Sequence, residues 1–344
     1  MIEENSKLRC FSPAWFSAVM GTGVFATSTY FLADGNEAMV LLSKVIVSIN
    51  VLMFIAILIP WVARWIVYPR DALADFQHPL RSNFYVTFGV GMLVLSTNFF
   101  IVEKMPEIGL AFWIAGTIEV ILDNFLYMFF VFFNRSIKLE HINPSIFIKT
   151  TGLFLVLGAG RAAIPYLSDL SLQSINIIFD FTFGVAFFMY IGLQTIWLLR
   201  YIISAPLQSS TMPMFWINLG PIGAAITALL SPPISTEFQS IGVFFASLFW
   251  GYGVWWFVLS LVTTIYYVKR ISLPYKSAWW AFTFPLGAFI VASYYYQQYK
   301  NYSLLIYFNW FMYIILAVFW VLTFIFTLHR IITGRMDDCE SLKV

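Results

Sequence analysis

Long, unbroken apolar blocks recur along the whole chain, each closed by a short polar stretch. They cover 13–32, 39–67, 84–103, 108–133, 147–166, 174–203, 213–231, 239–268, 276–295 and 303–329. A membrane-crossing helix needs about 20 mostly apolar residues. The blocks are continuous rather than alternating, and an open sheet edge cannot face lipid. The pattern therefore predicts an all-α integral membrane protein of ten transmembrane helices. Residues 1–12 and 330–344 form short tails around a 13–329 membrane domain.

The connections alternate in length and charge. Residues 33–38, 104–107, 167–173, 232–238 and 296–302 are short and carry Asp34, Glu37, Glu107, Asp169 and Glu237. The other set is longer and basic, with Arg70, Arg81, Arg135, Lys138, Lys269, Arg270 and Lys276. Cytoplasmic termini put nearly all Lys and Arg on one side, apart from Lys44, Lys104, Arg161 and Lys300; this is the positive-inside bias. It predicts a multi-pass protein of the cell membrane. The apolar run after Lys7 and Arg9 lacks a clear small-residue cleavage site and reads as the first span, not a signal peptide.

Pro13, Pro79, Pro144, Pro213 and Pro274 mark the start of every odd-numbered span, at intervals of 61 to 69 residues. Proline suits a first helical turn, where its missing N–H costs nothing. Five helical hairpins with a common start signal predict five similar units around an axis. Glycine and proline also concentrate in the odd spans: Gly21 and Gly23; Gly89 and Gly91; Gly152, Gly158 and Gly160; Gly220, Pro221 and Gly223; Pro285 and Gly287. Helix breaks are tolerated beside a cavity but not against lipid. The odd spans are thus expected to line a pore with broken backbone, inside a ring of even spans. Close packing through small residues is the competing explanation.

Composition sharpens the class. Apolar residues make up 60% of the 344 and charged residues 10%, against about 25% charged in soluble domains. The net charge of +2 is too small to imply a nucleic-acid partner. Cys10 and Cys339 offer neither a disulfide framework nor a metal cluster, and His78, His141 and His329 match no zinc spacing. The Gly21–Ala26 and Gly158–Ala163 stretches fit a dinucleotide fingerprint only in letters, because neither follows a strand. No Walker loop, Gly-x-Ser-x-Gly or His-Glu-x-x-His occurs. No cofactor and no enzymatic activity are expected. Transport without an ATP-binding module is passive or driven by an ion gradient.

Four ordered motifs carry a family resemblance. They are Phe11-Ser12-Pro13-Ala14-Trp15-Phe16 leading to Val19-Met20-Gly21-Thr22-Gly23; His78-Pro79-Leu80-Arg81-Ser82-Asn83-Phe84; Gly220-Pro221-Ile222-Gly223-Ala224-Ala225; and Trp279-Trp280-Ala281-Phe282-Thr283-Phe284-Pro285-Leu286-Gly287-Ala288. Together they resemble the tellurite-resistance/dicarboxylate transporter family, which includes the tellurite-resistance permease, malate permeases, sulfite efflux pumps and plant slow anion channels. The resemblance implies five hairpins in quasi-fivefold order around a central pore, homotrimeric assembly and passage of small inorganic or organic anions. C4-dicarboxylates such as malate are the first expectation, and sulfite, a toxic oxyanion, chloride or nitrate the alternatives. A membrane-embedded enzyme or receptor is the reading least supported. The resemblance also implies a pore-blocking phenylalanine, best matched by Phe284, with Phe282 as fallback.

Charges inside spans need partners or a wet cavity. Glu119, Asp123 and Asp180 lie on even spans, which favours structural pairing over a place in an anion pore, with proton coupling through Glu119 as the sharper reading. Matching depths on neighbouring helices predict an Arg161–Asp180 ion pair, with direct anion contact by Arg161 as its rival. His78 and Arg81 fall at the inner mouth, where they would attract anions.

Overall fold

The computed structural model describes residues 7–78, 81–133, 138–233 and 236–334. Pro79, Cys339 and the tail beyond Gly334 lie outside them. The described residues form helices and turns, with no strand. Eleven α-helices follow one another: α1 Phe16–Leu32, α2 Glu37–Val67, α3 Pro69–Gln77, α4 Thr87–Thr97, α5 Pro106–Phe133, α6 Phe147–Gly160, α7 Asp169–Ile203, α8 Leu219–Leu230, α9 Thr236–Tyr266, α10 Thr283–Lys300 and α11 Leu304–Ile332.

Among the described residues, eight helical segments are long and apolar enough to cross a membrane. They contain α2, α4, α5, α6, α7, α8, α9 and α11, the shorter ones together with their flanking turns. The blocks 13–32 and 276–295 are the two exceptions. Helix α1 is 17 residues long and rich in Ser, Thr and Gly, and α10 ends in the polar run Tyr294–Lys300. Both are nonetheless buried almost throughout.

Burial sorts the helices into two sets. Nearly every residue of α1, α4, α6, α8 and α10 is enclosed. Helices α2, α5, α7, α9 and α11 each expose an apolar face, such as Leu52, Ile59 and Ile66 on α2 or Phe125, Phe129 and Phe132 on α5. Spacings of three to seven residues put each such set on one helical face. Every buried helix packs on the exposed helix that follows it: α1 on α2, α4 on α5, α6 on α7, α8 on α9, α10 on α11. The buried helices also touch one another in sequence, α1 with α4, α4 with α6, α6 with α8, α8 with α10, and α10 with α1. At the ends of the described residues, Lys7 Nζ donates to the Gly334 carbonyl at 3.3 Å.

The recurrent prolines acquire a local cause. Pro13 and Pro144 open 3-10 turns, Pro13–Trp15 and Pro144–Ile146. The preceding Ser12 and Asn143 side chains accept the Ala14 and Ser145 backbone N–H groups at 3.2 and 2.9 Å. Two longer 3-10 segments, Met212–Asn218 and Ser277–Phe282, lead into α8 and α10. These segments, and Arg81–Phe84 before α4, contact one another at one end of the bundle, the end rich in Arg and Lys.

The glycines do not break the buried helices, contrary to expectation. Helix α1 runs through Gly21 and Gly23, α4 through Gly89 and Gly91, and α6 to Gly160; Gly287 is internal to α10. Close approach explains most of them. A Cβ on Gly21 would overlap Thr283, one on Gly223 would sit 2.6 Å from the Ala288 carbonyl carbon, and one on Gly287 would overlap Val24. The departures from α geometry lie elsewhere, in the leading 3-10 segments, in the π-turn Asn98–Glu103 and in the 3-10 segment Arg161–Tyr166. Pro221 and Pro285 stand in first turns, where they displace no helical hydrogen bond. Cys10 forms a disulfide, which the sequence reading did not anticipate.

Candidate functional site

Among the described residues, two of the cavities lie between the buried helices. One, of about 410 Å³, opens at the basic end and is walled by residues such as Ser17, Met20, Arg81, Thr151 and Phe284. The other, of about 50 Å³, lies further along the same helices. All five buried helices contribute to it: Thr27 from α1, Thr97 from α4, Gly158 from α6, Thr227 from α8 and Ala288 from α10. Its wall is apolar apart from threonine hydroxyls and the Tyr295 side chain. Thr27 and Thr97 donate to their own helix carbonyls, Gly23 and Leu93, at 3.1 Å.

Phe284 is the one residue common to both linings. The ring is positioned by its backbone. The 3-10 segment ends at Phe282, Thr283 Oγ1 donates to the Trp280 carbonyl at 2.8 Å, and Pro285 fixes the first turn of α10. Gly220 of α8 faces the ring: a Cβ there would meet Phe284 Cε1 at 3.5 Å. Among the described residues Phe284 stacks on no other ring, whereas Phe282 packs into a cluster with Phe319, Trp279 and Trp216 at 4.7, 5.7 and 6.0 Å. Phe282 is a core residue and lines neither cavity.

At the basic end two guanidinium groups share one carboxylate. Arg81 donates to Asp75 Oδ1 at 2.7 Å, and Arg64 bonds Asp75 Oδ2. Arg64 also donates to the Arg9 and Phe11 carbonyls at 2.9 and 3.0 Å, pinning the segment before α1. Arg9 in turn pairs with Asp71 of α3 at 3.0 Å. Helix α3, absent from the sequence reading, thus carries both acids of this network. Arg81 and Asp75 line the larger of the two cavities. His78 is not in the lining; its Nδ1 accepts the Arg81 backbone N–H at 3.4 Å.

The predicted Arg161–Asp180 pair does not form. Arg161 donates to the Ser231 and Pro233 carbonyls at 2.9 and 3.2 Å, across to the α8–α9 connection. Asp180 is on an exposed face of α7. Arg161 opens a 3-10 segment, and the tighter winding turns it toward residues 231–233. Of the other expected pore residues, Gly158 and Pro285 line cavities and Gly220 faces Phe284. Gly21, Gly23, Gly89, Gly160 and Gly287 pack against neighbouring side chains, and Gly91 against Val19.

The sequence reading missed Lys149. It is fully enclosed on α6, paired with Asp123 of α5, donates to the Ser82 carbonyl at 2.9 Å and lies 4.5 Å over the Tyr127 ring. The available signal was an internal charge of opposite sign on each of two consecutive spans.

A sequence profile described as voltage-dependent anion channel matches residues 10–328, nearly the whole chain. The chain belongs to this family. Two uncharacterized transporters of Methanocaldococcus jannaschii are 37% and 35% identical to it, each aligned over 96% of this chain and over 96% and 98% of their own lengths. A sulfite efflux pump of Arthroderma otae is 24% identical over 95% of the chain and 92% of its own. The malic acid transport protein of Schizosaccharomyces pombe is 22% identical over 83% and 70% respectively. Membership agrees with the four motifs, and the family and its named relatives are channels and transporters. The chain is thus a multi-pass membrane protein of an anion-transport family.

Proposed function

We propose that the chain passes small anions along the axis enclosed by α1, α4, α6, α8 and α10, and that Phe284 closes this path. On this reading the five hairpins are quasi-fivefold repeats giving ten membrane-crossing helices, with both termini cytoplasmic and the basic end facing the cytoplasm. The observation that carries it is Phe284 standing between the two cavities, the narrower of them walled by all five buried helices. A ring across a narrow apolar passage excludes water and raises the barrier to a hydrated ion. The shared Asp75 leaves the Arg64–Arg81 network with one excess positive charge, which favours anions at the wide mouth.

The wall offers hydroxyls and apolar surface but little to recognise one anion strongly. C4-dicarboxylates such as malate are the first substrate class, and the wide cavity can admit them. Sulfite is the second, favoured by the near-complete alignment with a sulfite efflux pump. The apolar outer faces of α2, α5, α7, α9 and α11 suit lipid and the contacts of a homotrimer in the cell membrane.

Purified protein in lipid vesicles, challenged with malate, sulfite, nitrate and chloride at set voltage and proton gradient, tests the reading. Flux that follows voltage and prefers anions over cations is expected. No anion flux at any voltage would overturn it. Strict dependence on a proton gradient would replace the channel with a coupled carrier.

A further inference from the structure

Behind the α4–α6 wall lie two carboxylates and one ammonium group. Glu119 and Asp123 are four residues apart on α5 and so share a face. Lys149 serves Asp123 Oδ2, the Ser82 carbonyl and the Tyr127 ring. That leaves Asp123 Oδ1 and Glu119 Oε2, both enclosed, without a hydrogen-bond partner among the described residues. Asp123 itself is 4% exposed. The charged groups facing Glu119 are Asp123 on its own helix and Lys149 on α6. Helix α4 brings no charged group to Glu119; its Gly89 leaves the space that the carboxyl fills and donates a backbone hydrogen bond to that carboxyl.

Two negative charges against one positive leave one carboxylate without a counter-ion inside the membrane, an arrangement that ordinarily marks function. A proton taken from solution removes the excess charge. It also gives Glu119 an O–H donor, one helical turn from the vacant Asp123 oxygen. We propose that Glu119 is a proton-binding site and that its occupancy controls anion passage along α4 and α6. This rests on the reading of the chain as an anion pathway.

The site abuts both walls of that pathway. Lys149 lies between Ile148 and Thr151, which line the wide cavity, and Gly89 precedes Val94 and Thr97, which line the narrow one. Loss of the proton places a negative charge about one interhelical distance, ~10 Å, from the anion path. At an effective dielectric of about 20 this slows anion passage about tenfold. Flux therefore rises as pH falls.

Two measurements on the whole protein in lipid vesicles test this. Infrared spectra should show a protonated-carboxyl C=O band that persists near pH 7, where exposed carboxylates are ionised, and is lost in Glu119→Gln. Chloride flux should rise about tenfold from about pH 8 to about pH 5, while Glu119→Gln holds the acid-side level throughout. Absence of the band in the wild type, or its survival in Glu119→Gln, overturns the proton site. If Glu119→Gln does not fold, Glu119→Asp, which should shift the band without abolishing it, and Asp123→Asn, which should leave it, make the assignment. A band with pH-independent flux overturns the control of passage. Absence of flux at every pH overturns the anion pathway instead, and the infrared result still decides whether Glu119 binds a proton.

Discussion

Phe284 owes its place to a turn of backbone and a facing glycine, not to neighbouring rings, so its truncation should disturb little else. Phe284→Ala is expected to raise anion flux about tenfold, equivalent to lowering the barrier by about 1.4 kcal/mol. Flux assays on variants with unchanged elution and melting profiles check this; unchanged flux would remove Phe284 from the path. Asp123 and Lys149 behave oppositely. Lys149→Ala leaves the buried Asp123 and Glu119 carboxyls without their shared positive charge and should destabilise the protein by about 3–5 kcal/mol, whereas Asp123→Leu with Lys149→Met should recover most of that loss. Thermal unfolding in detergent distinguishes the two. The motif around Trp279–Ala288 holds two phenylalanines, Phe284 preferred and Phe282 as fallback, and the letters alone do not place either ring. Only the change from 3-10 to α winding between them sends one ring into a core cluster and the other between cavities. The same kind of winding defeated the Arg161–Asp180 pairing, since depth along a helix says nothing of rotation about it.

At the scale of elements, the apolar blocks announced the helices because a buried backbone in lipid must satisfy itself locally. They did not announce α3, whose length and polarity suit an interface, nor the 3-10 leads, whose residues are as apolar as the helices they precede. The glycine-rich odd spans were correctly separated from the even ones, but for the alternative reason. Small residues let α1, α8 and α10 approach closely, and the helices stay continuous. Gly287→Val drives a side chain into Val24 and should cost about 1–3 kcal/mol by overpacking. Gly184→Ala, on an open position of α7, is the control and should be neutral or slightly stabilising in the same melting experiment.

Across the whole molecule, the charge asymmetry seen in the connections becomes a network at one mouth, with α3 supplying its acids. Arg81→Gln should lower anion flux at low salt and flatten its dependence on ionic strength, because screening acts on the charge that was removed. Wild-type and variant fluxes measured over a salt series check this, and parallel curves would count against it.

The Lys7–Gly334 hydrogen bond has a consequence for chain connectivity. It brings the two ends of the described chain together on the face where the 3-10 leads gather, so the circuit from α10 back to α1 is completed by contact alone. Any of the basic-end connections could serve equally as the break. A circular permutant that joins Gly334 to Lys7 through a flexible linker and opens the chain within 204–211 should assemble with the same helix neighbours and comparable melting behaviour. Failure to fold would show that the order of synthesis, and not only the final set of contacts, determines which helices find each other.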